Sequence, residues 1–350
     1  MNIKTILKEL SEAPGVSGHE TEINKIIKKY FINYVDEIKN DKLGNLICYK
    51  KGKIKNPNKI MLAAHMDEIG LMVKHIDDNG YLKFTNIGGV DHRTLLYQEV
   101  IIHGTEKVFG IIGMHPPQLS PKDDQNKIVK MEDMFIDTGL SKKELTSLIN
   151  IGDVITIKRD LKFLLNDMVA GKALDDRAGV VALYVCLREL QKFNHDIDVY
   201  FVSTVQEEVG TRGAITSTYG VNPDIGIAID VGFGYTPELN KFDTLEIGEG
   251  PAITIGGNIH PRIFERLKET AKNNYIDYQV EVAPGRSGTD AWSMQVSKEG
   301  VATGLLSIPL RYMHTSVETL ALEDIIKTGK LLAQFIISLN GMDMEELLCY

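Results

Sequence analysis

The stretch that decides the fold runs from Lys59 to Val73, KIMLAAHMDEIGLMV. It opens as a short apolar run, Ile60 to Ala64, with the length of a buried strand. Polar residues, His65 and Asp67 among them, follow at the strand's carboxyl end. From about Leu71 the texture of the chain changes.

Downstream of that point, YLKFTNI, EVIIHG, VFGIIGM and DVITIK read as short alternating strands. The turns DDNG, IGGVD and HPPQLSP separate them, and one helical patch, SKKELTSLI, interrupts them. Such spacing predicts a small β-barrel or β-sandwich. After about Asn166 strands and helices alternate. RAGVVALYVCLRELQKF, PRIFERLKETAKNN and LEDIIKTGKLLAQFIISL read as helices; DVYFVSTV, PDIGIAID, YQVEVA and VATGLLSIP read as strands. Upstream, residues 1–40 read as helical with a break at Ala13-Pro14-Gly15. The expected class is α/β, a mostly parallel sheet with helices on both faces. Residues 1–70 and 166–350 would form it, interrupted by an inserted all-β domain at 71–165.

The bulk numbers bound the function. The chain has 350 residues, 43% hydrophobic and 25% charged, which is an ordinary globular composition. A net charge of −9 argues against nucleic acid, whose phosphates need a basic face. No apolar run reaches the length of a membrane span. The amino-terminal MNIKTILKELSEAPG reads as an amphipathic helix rather than a signal peptide. Cys48, Cys186 and Cys349 are scattered and odd in number, as expected of reduced thiols in a cytoplasmic protein.

In open α/β sheets, ligands bind beyond the carboxyl ends of the strands. Five such places carry metal-ligand side chains: His65 and Asp67, Asp175 and Asp176, Glu207 and Glu208, Asp230, and His314. Four follow predicted strands, and Asp175-Asp176 lies in the loop leading into a helix. Taken singly, each has a bland explanation. His314 could be a hydrogen-bonded structural residue, Asp176 a helix cap, Asp67 and Asp230 turn residues, and the adjacent glutamates a solvated turn. Jointly these explanations weaken. His and carboxylate ligands without thiolate suit zinc, cobalt or manganese. Asp175, Glu208, Asp230 and Glu207 would nearly balance two divalent cations, whereas a metal-free cluster would force several carboxyls to stay protonated.

AAHMDEIG, KALDDRAG, VQEEVG, AIDVGFG and YMHTSVE, in this order, resemble the two-metal aminopeptidases of the tetrahedral (TET) family. That family includes glutamyl and deblocking aminopeptidases, and some members were once labelled endoglucanases. IGGVDHR, GIIGMHPPQL, MEDMFIDTG and IGDVITI are similar to its β-rich dimerisation domain. IGEGPAI and GRSGTDAW are similar to its substrate-side loops. The resemblance implies Asp175 as a bridge between two divalent metals, Zn or Co, with Mn possible. His65 and Asp230 would complete one site, Glu208 and His314 the other. Asp67 would hold the far nitrogen of His65, and the Asp175–Asp176 peptide would be cis. Gly250, Ser287, Gly288, Thr289 and Asp290 would meet substrate.

The implied reaction removes amino-terminal residues from short peptides by a hydroxide formed between the metals, with Glu207 as general base. The family also implies a homo-oligomer built from dimers, a hollow tetrahedral dodecamer. One alternative is another amidohydrolase on the same scaffold, a deacylase or carboxypeptidase. It would need a basic pocket, for which Arg262, Arg286 and Arg311 are candidates. A glycosidase fits less well, since it needs no metal pair and sugar-stacking aromatics are scarce, with one Trp.

Overall fold

The computed structural model describes residues 2–116, 118 and 128–349. Its main sheet has eight strands. In spatial order these are Glu37–Asn40, Leu46–Lys50, Asp198–Thr204, Lys59–His65, Ile225–Phe233, Ala302–Leu310, Ala252–Gly256 and Gln279–Ala283. The four middle strands are mutually parallel. Leu46–Lys50 and Ala252–Gly256 flank them in antiparallel fashion. The carboxyl ends of the parallel strands therefore open on one side of the molecule.

Both faces of the sheet are covered, which explains why its central strands read as continuous apolar runs. Ile60, Met61, Leu62, Ala63 and Ala64 are all fully buried. Two close approaches identify the layers. A Cβ on Gly226 would run into Met294 of the helix Asp290–Gln295. A Cβ on Gly304, which faces the other way, would run into Ile263 and Leu267 of the helix Pro261–Asn273. The amphipathic helix Leu322–Ser338 packs on the long buried helix Leu174–Leu190. Residues 1–40 are only partly helical: helices Ile3–Glu12 and Thr21–Phe31 are followed by the short edge strand Glu37–Asn40. That strand is mostly exposed and so carries no apolar alternation to betray it.

The inserted region closes into a six-stranded antiparallel barrel. Its order is Gly70–Ile76, Leu82–Ile87, Phe135–Asp137, Lys107–Gly113, Glu99–His103 and Val154–Ile157. It has a core of its own, including Leu71, Leu82, Val100, Ile102, Ile112, Ile136 and Ile155. A capping box of Ser141 and Glu144 starts the helix Lys142–Leu148, which places Leu145 into that core. Pro117 and residues 119–121 of the Pro-rich turn lie outside the described residues. A small three-stranded sheet, Lys162–Phe163, Met168–Gly171 and Glu318–Ala321, ties the exit from the barrel to the segment just after His314.

Candidate active site

Each candidate ligand sits where the backbone leaves regular structure. His65 is the last residue of its strand. Asp175 and Asp176 have non-helical backbone angles and a cis peptide between them, so the regular helix starts after them. The Asp176 carboxylate accepts the Gly179 N–H at 3.0 Å, which is a helix cap. Glu207 and Glu208 lie three and four residues past Thr204, where the strand ends. Gln206 and Thr211 adopt left-handed angles, φ 56° and 53°, on either side of them. This turn lets neighbouring carboxylates share one site, which a continuing strand would forbid. Asp230 lies within Ile225–Phe233 rather than at its end. His314 occupies the turn before Glu318–Ala321 with φ 61°.

The fold brings five of these side chains into two groups that share one member. His65, Asp175 and Asp230 place ligand atoms within 4.8 Å of one another, and so do Asp175, Glu208 and His314. His65 Nε2 is 3.0 Å from Asp175 Oδ1. His314 Nε2 is 3.3 Å from both Asp175 Oδ2 and Glu208 Oε2. The other nitrogen of each ring settles what these atoms can offer. His65 Nδ1 lies 3.1 Å from the Asp67 carbonyl and His314 Nδ1 lies 3.1 Å from the Gly89 carbonyl. A carbonyl only accepts, so each Nδ1 carries the hydrogen, and in the neutral ring each Nε2 points a lone pair at carboxylates. Lone pairs and carboxylates converging on Asp175 are a donor set for cations. With imidazole and carboxylate and no thiolate, the set fits divalent zinc, cobalt or manganese.

Electrostatics say the same. Burial, with Asp175 adding, pushes the Asp230 carboxyl up to about 8. Burial, with Asp230, Asp290 and Asp67 adding against the opposing pull of His65, pushes Glu207 up to about 9. Glu208 is raised far above the carboxyl range, first by burial and then by Asp175. Burial also acts to raise Asp175, but in the metal-free chain His314 and His65, both raised above the ordinary histidine value, donate from protonated Nε2 and hold Asp175 low; a cation would take the place of those two protons. A cluster of this kind wants positive charge that the surrounding protein does not supply.

Two buried carboxylates position the ligands through their backbones. The Asp67 carboxylate accepts the N–H groups of Glu207 at 3.0 Å and Glu208 at 3.2 Å, and the Ser17 hydroxyl at 2.5 Å. Its nearest oxygen stands 3.6 Å from His65 Nδ1, so the closer partner of that ring is the Asp67 carbonyl. Glu318 accepts the N–H groups of Leu174, Asp175 and His314 at 2.7, 3.1 and 3.0 Å. Beneath them, the buried Glu68 pairs with Lys172 at 2.7 Å and with Arg177 at 3.2 Å. Glu318 and this triad carry no sequence signal beyond adjacency to the ligand motifs. Gly89 has to be glycine, because a Cβ there would stand 2.7 Å from His314 Nδ1.

The centre opens into a cleft of about 440 Å³ lined by His65, Asp175, Glu207, Glu208, Asp230 and His314. Ser287, Gly288 and Thr289 line the same cleft. Gly250 and Asp290 lie outside its lining. Gly250 donates its N–H to Asp324 at 2.9 Å, against the helix Leu322–Ser338. Asp290 is buried and takes the Thr204 hydroxyl at 2.6 Å. Of the three candidate arginines, Arg286 alone lines the cleft. Arg262 and Arg311 donate to the carbonyls of Cys349 and Tyr235.

The profile of the M42 glutamyl aminopeptidase family matches residues 44–331. The lysyl aminopeptidase of Pyrococcus furiosus is 39% identical over 344 residues, covering 97% of this chain and 98% of its own length. A TET aminopeptidase from a marine-sediment thaumarchaeote superimposes with a TM-score of 0.93 at 33% identity, over 99% of this chain and 98% of the other. The TET1 peptidase of Pyrococcus horikoshii, which can assemble into a tetrahedron or a large octahedral shell, superimposes with a TM-score of 0.85 at 33% identity, over 96% and 99% of the two chains. The chain belongs to the M42 family of aminopeptidases and is a peptide hydrolase.

Proposed function

We propose that this aminopeptidase works with two divalent cations, zinc or cobalt, with manganese a third option. His65, Asp175 and Asp230 would hold one, and Asp175, Glu208 and His314 the other. The observation that carries this reading is the sharing of Asp175 by both ligand groups, with Glu207 lining the same cleft outside either. When bound, such cations would polarise a scissile carbonyl and lower the pKa of the attacking water. Glu207 takes the proton from the attacking water and delivers it to the leaving amine. Asp67 and Glu318 hold the turns that carry these groups. Ser287, Gly288 and Thr289 border the bound peptide.

The substrates are short peptides with a free amino terminus. Three ligand carboxylates and Glu207 balance the charge of two cations. Proton transfer from the water to Glu207 leaves that balance unchanged, and a free α-amine would be held by the carboxylates of the centre. Free and amino-terminally acetylated forms of one peptide test this: free peptide is cleaved and acetylated peptide is not, and equal turnover would contradict it.

The barrel, residues 71–165, serves as a dimerisation unit and the α/β remainder as the catalytic domain. Phe109 and Ile111 support this, since they alternate outward from the strand Lys107–Gly113 and are exposed although apolar. Dimers would build a closed homo-oligomer, up to a tetrahedral dodecamer, in the cytoplasm. Light scattering that returned a monomer would overturn this.

A further inference from the structure

We infer that Glu281 sets the specificity of this cleft and that it selects peptides beginning with Lys or Arg. The inference rests on the aminopeptidase reading above and concerns which side chain the site accepts.

Glu281 lies on the edge strand Gln279–Ala283, paired with Thr254 on the next strand. On the same two-residue repeat, Ala252 pairs with Ser307, and Ser307 with Asp230. Neighbours in register share a face, so Glu281, Thr254, Ser307 and Asp230 all project from the same side of the sheet. The Glu281 carboxylate reaches inward across that face toward the centre. Its Oε2 accepts the Ser307 hydroxyl at 2.5 Å and the Thr254 hydroxyl at 2.9 Å. Both bonds fall on one oxygen and fix the carboxylate in place.

Glu281 lines the cleft, and its Oε1 takes part in neither of these bonds. Oε1 stands 3.3 Å from the point where a Cβ on Gly232 would be, a point that Leu245 and Ser307 approach more closely, at 2.7 and 3.0 Å, so the glycine keeps this end of the cleft open. Gly232 follows Asp230 by two residues on the same face, about 7 Å along the strand. That distance suits the four-carbon stem of Lys or the longer Arg, with the backbone of the first residue at the centre. The lining between is small or apolar, with Gly232, Ala283 and Leu305, and suits methylene groups.

Charge decides the sign. Apart from the ligands and Glu207, the charged residues lining the cleft are Glu281 and Arg286. Arg286 is exposed, and its guanidinium lies 5.6 Å from the ring centroid of Trp292, which lines a neighbouring hollow. Glu281 is the charge anchored on the floor. An ammonium or guanidinium group gains a charge-assisted bond there, and an acidic side chain is repelled.

A panel of aminoacyl p-nitroanilides (Lys, Arg, Leu, Glu) with the metal-loaded protein tests this. The wild type shows a higher kcat/KM for Lys and Arg than for Leu or Glu. In Glu281→Gln the Lys-over-Leu ratio falls by about tenfold. In Glu281→Lys the ratio of Glu over Lys rises. Wild-type protein that cleaves Leu as well as Lys overturns the inference without any variant. An unchanged ratio in Glu281→Gln overturns it too, and a preference for Glu would assign the pocket to Arg286. In each of these cases cleavage persists and the aminopeptidase reading stands. Absence of cleavage across the whole panel would sink that reading and the inference with it.

Discussion

The Asp67 carboxylate holds the backbone of Glu207, whose N–H donates to Oδ1 at 3.0 Å. The other oxygen takes the N–H of Glu208 at 3.2 Å. One buried acid thus sets the turn that presents both the proposed base and a proposed ligand. Burial works to raise its pKa, but His65, Ser17 and the Glu207 N–H outweigh it, so Asp67 stays charged and able to accept. Asp67→Ala removes these acceptors without touching a ligand. The expected loss in kcat is about 10–100-fold. Steady-state kinetics alongside metal analysis check it, and activity close to wild type would show that the turn holds itself.

Glu207 belongs to neither ligand group. Glu207→Gln is expected to retain its metal complement and its fold and to lose at least about 100-fold in kcat. Elemental analysis and peptide turnover on the same sample separate the two roles. Loss of metal together with activity would make Glu207 a ligand instead.

Glu318 bonds to the backbones of Asp175 and His314, which belong to the group containing Glu208. Glu318→Ala leaves the buried N–H groups of Leu174 and Asp175 without acceptors, at about 1–3 kcal/mol each, and frees the half-buried N–H of His314. The variant is expected to melt lower and to bind fewer metal ions per chain, with the loss concentrated at the Asp175–Glu208–His314 site. Calorimetric titration of metal into stripped protein measures this; unaltered affinity at both sites would contradict it.

The carboxyl shifts give a pH dependence with a definite sign. Asp230 moves from 3.8 to about 8 and Glu207 from 4.5 to about 9 in the folded, metal-free chain. Between those limits the folded state binds more protons than the unfolded state, so stability falls as pH rises through the window. Metal ions replace those protons, so the gain in Tm on adding metal should grow from about pH 5 to about pH 8. Thermal melts with and without metal at each pH provide the check. A metal-free Tm that rises across this range would contradict the account.

The α/β texture was legible because buried parallel strands are written as apolar runs such as Ile60 to Ala64, and the barrel because its strands alternate between turn signals. His65, Glu207, Glu208, Asp230 and His314 stood out because each follows such a run with a ligand type, and Asp175 because it lies in the loop leading into a helix. Less was legible where geometry depends on contacts distant in sequence. Nothing local marks Glu318 as the acceptor for Asp175, and nothing in GRSGTDAW separates the cleft-lining Ser287, Gly288 and Thr289 from the buried Asp290. Gly250 has the same explanation, since its partner Asp324 lies 74 residues on. The strand Glu37–Asn40 escaped notice because it is an exposed edge, with no buried face to pattern its sequence.

Stripping the protein of metal and titrating zinc, cobalt or manganese back, while following hydrolysis of Lys- and Leu-p-nitroanilide, tests the central claim most directly. The account expects no turnover from the stripped protein and recovery that completes as bound metal approaches two ions per chain. Full activity in the stripped protein, or recovery complete at one ion, would contradict a centre in which Asp175 serves two metals.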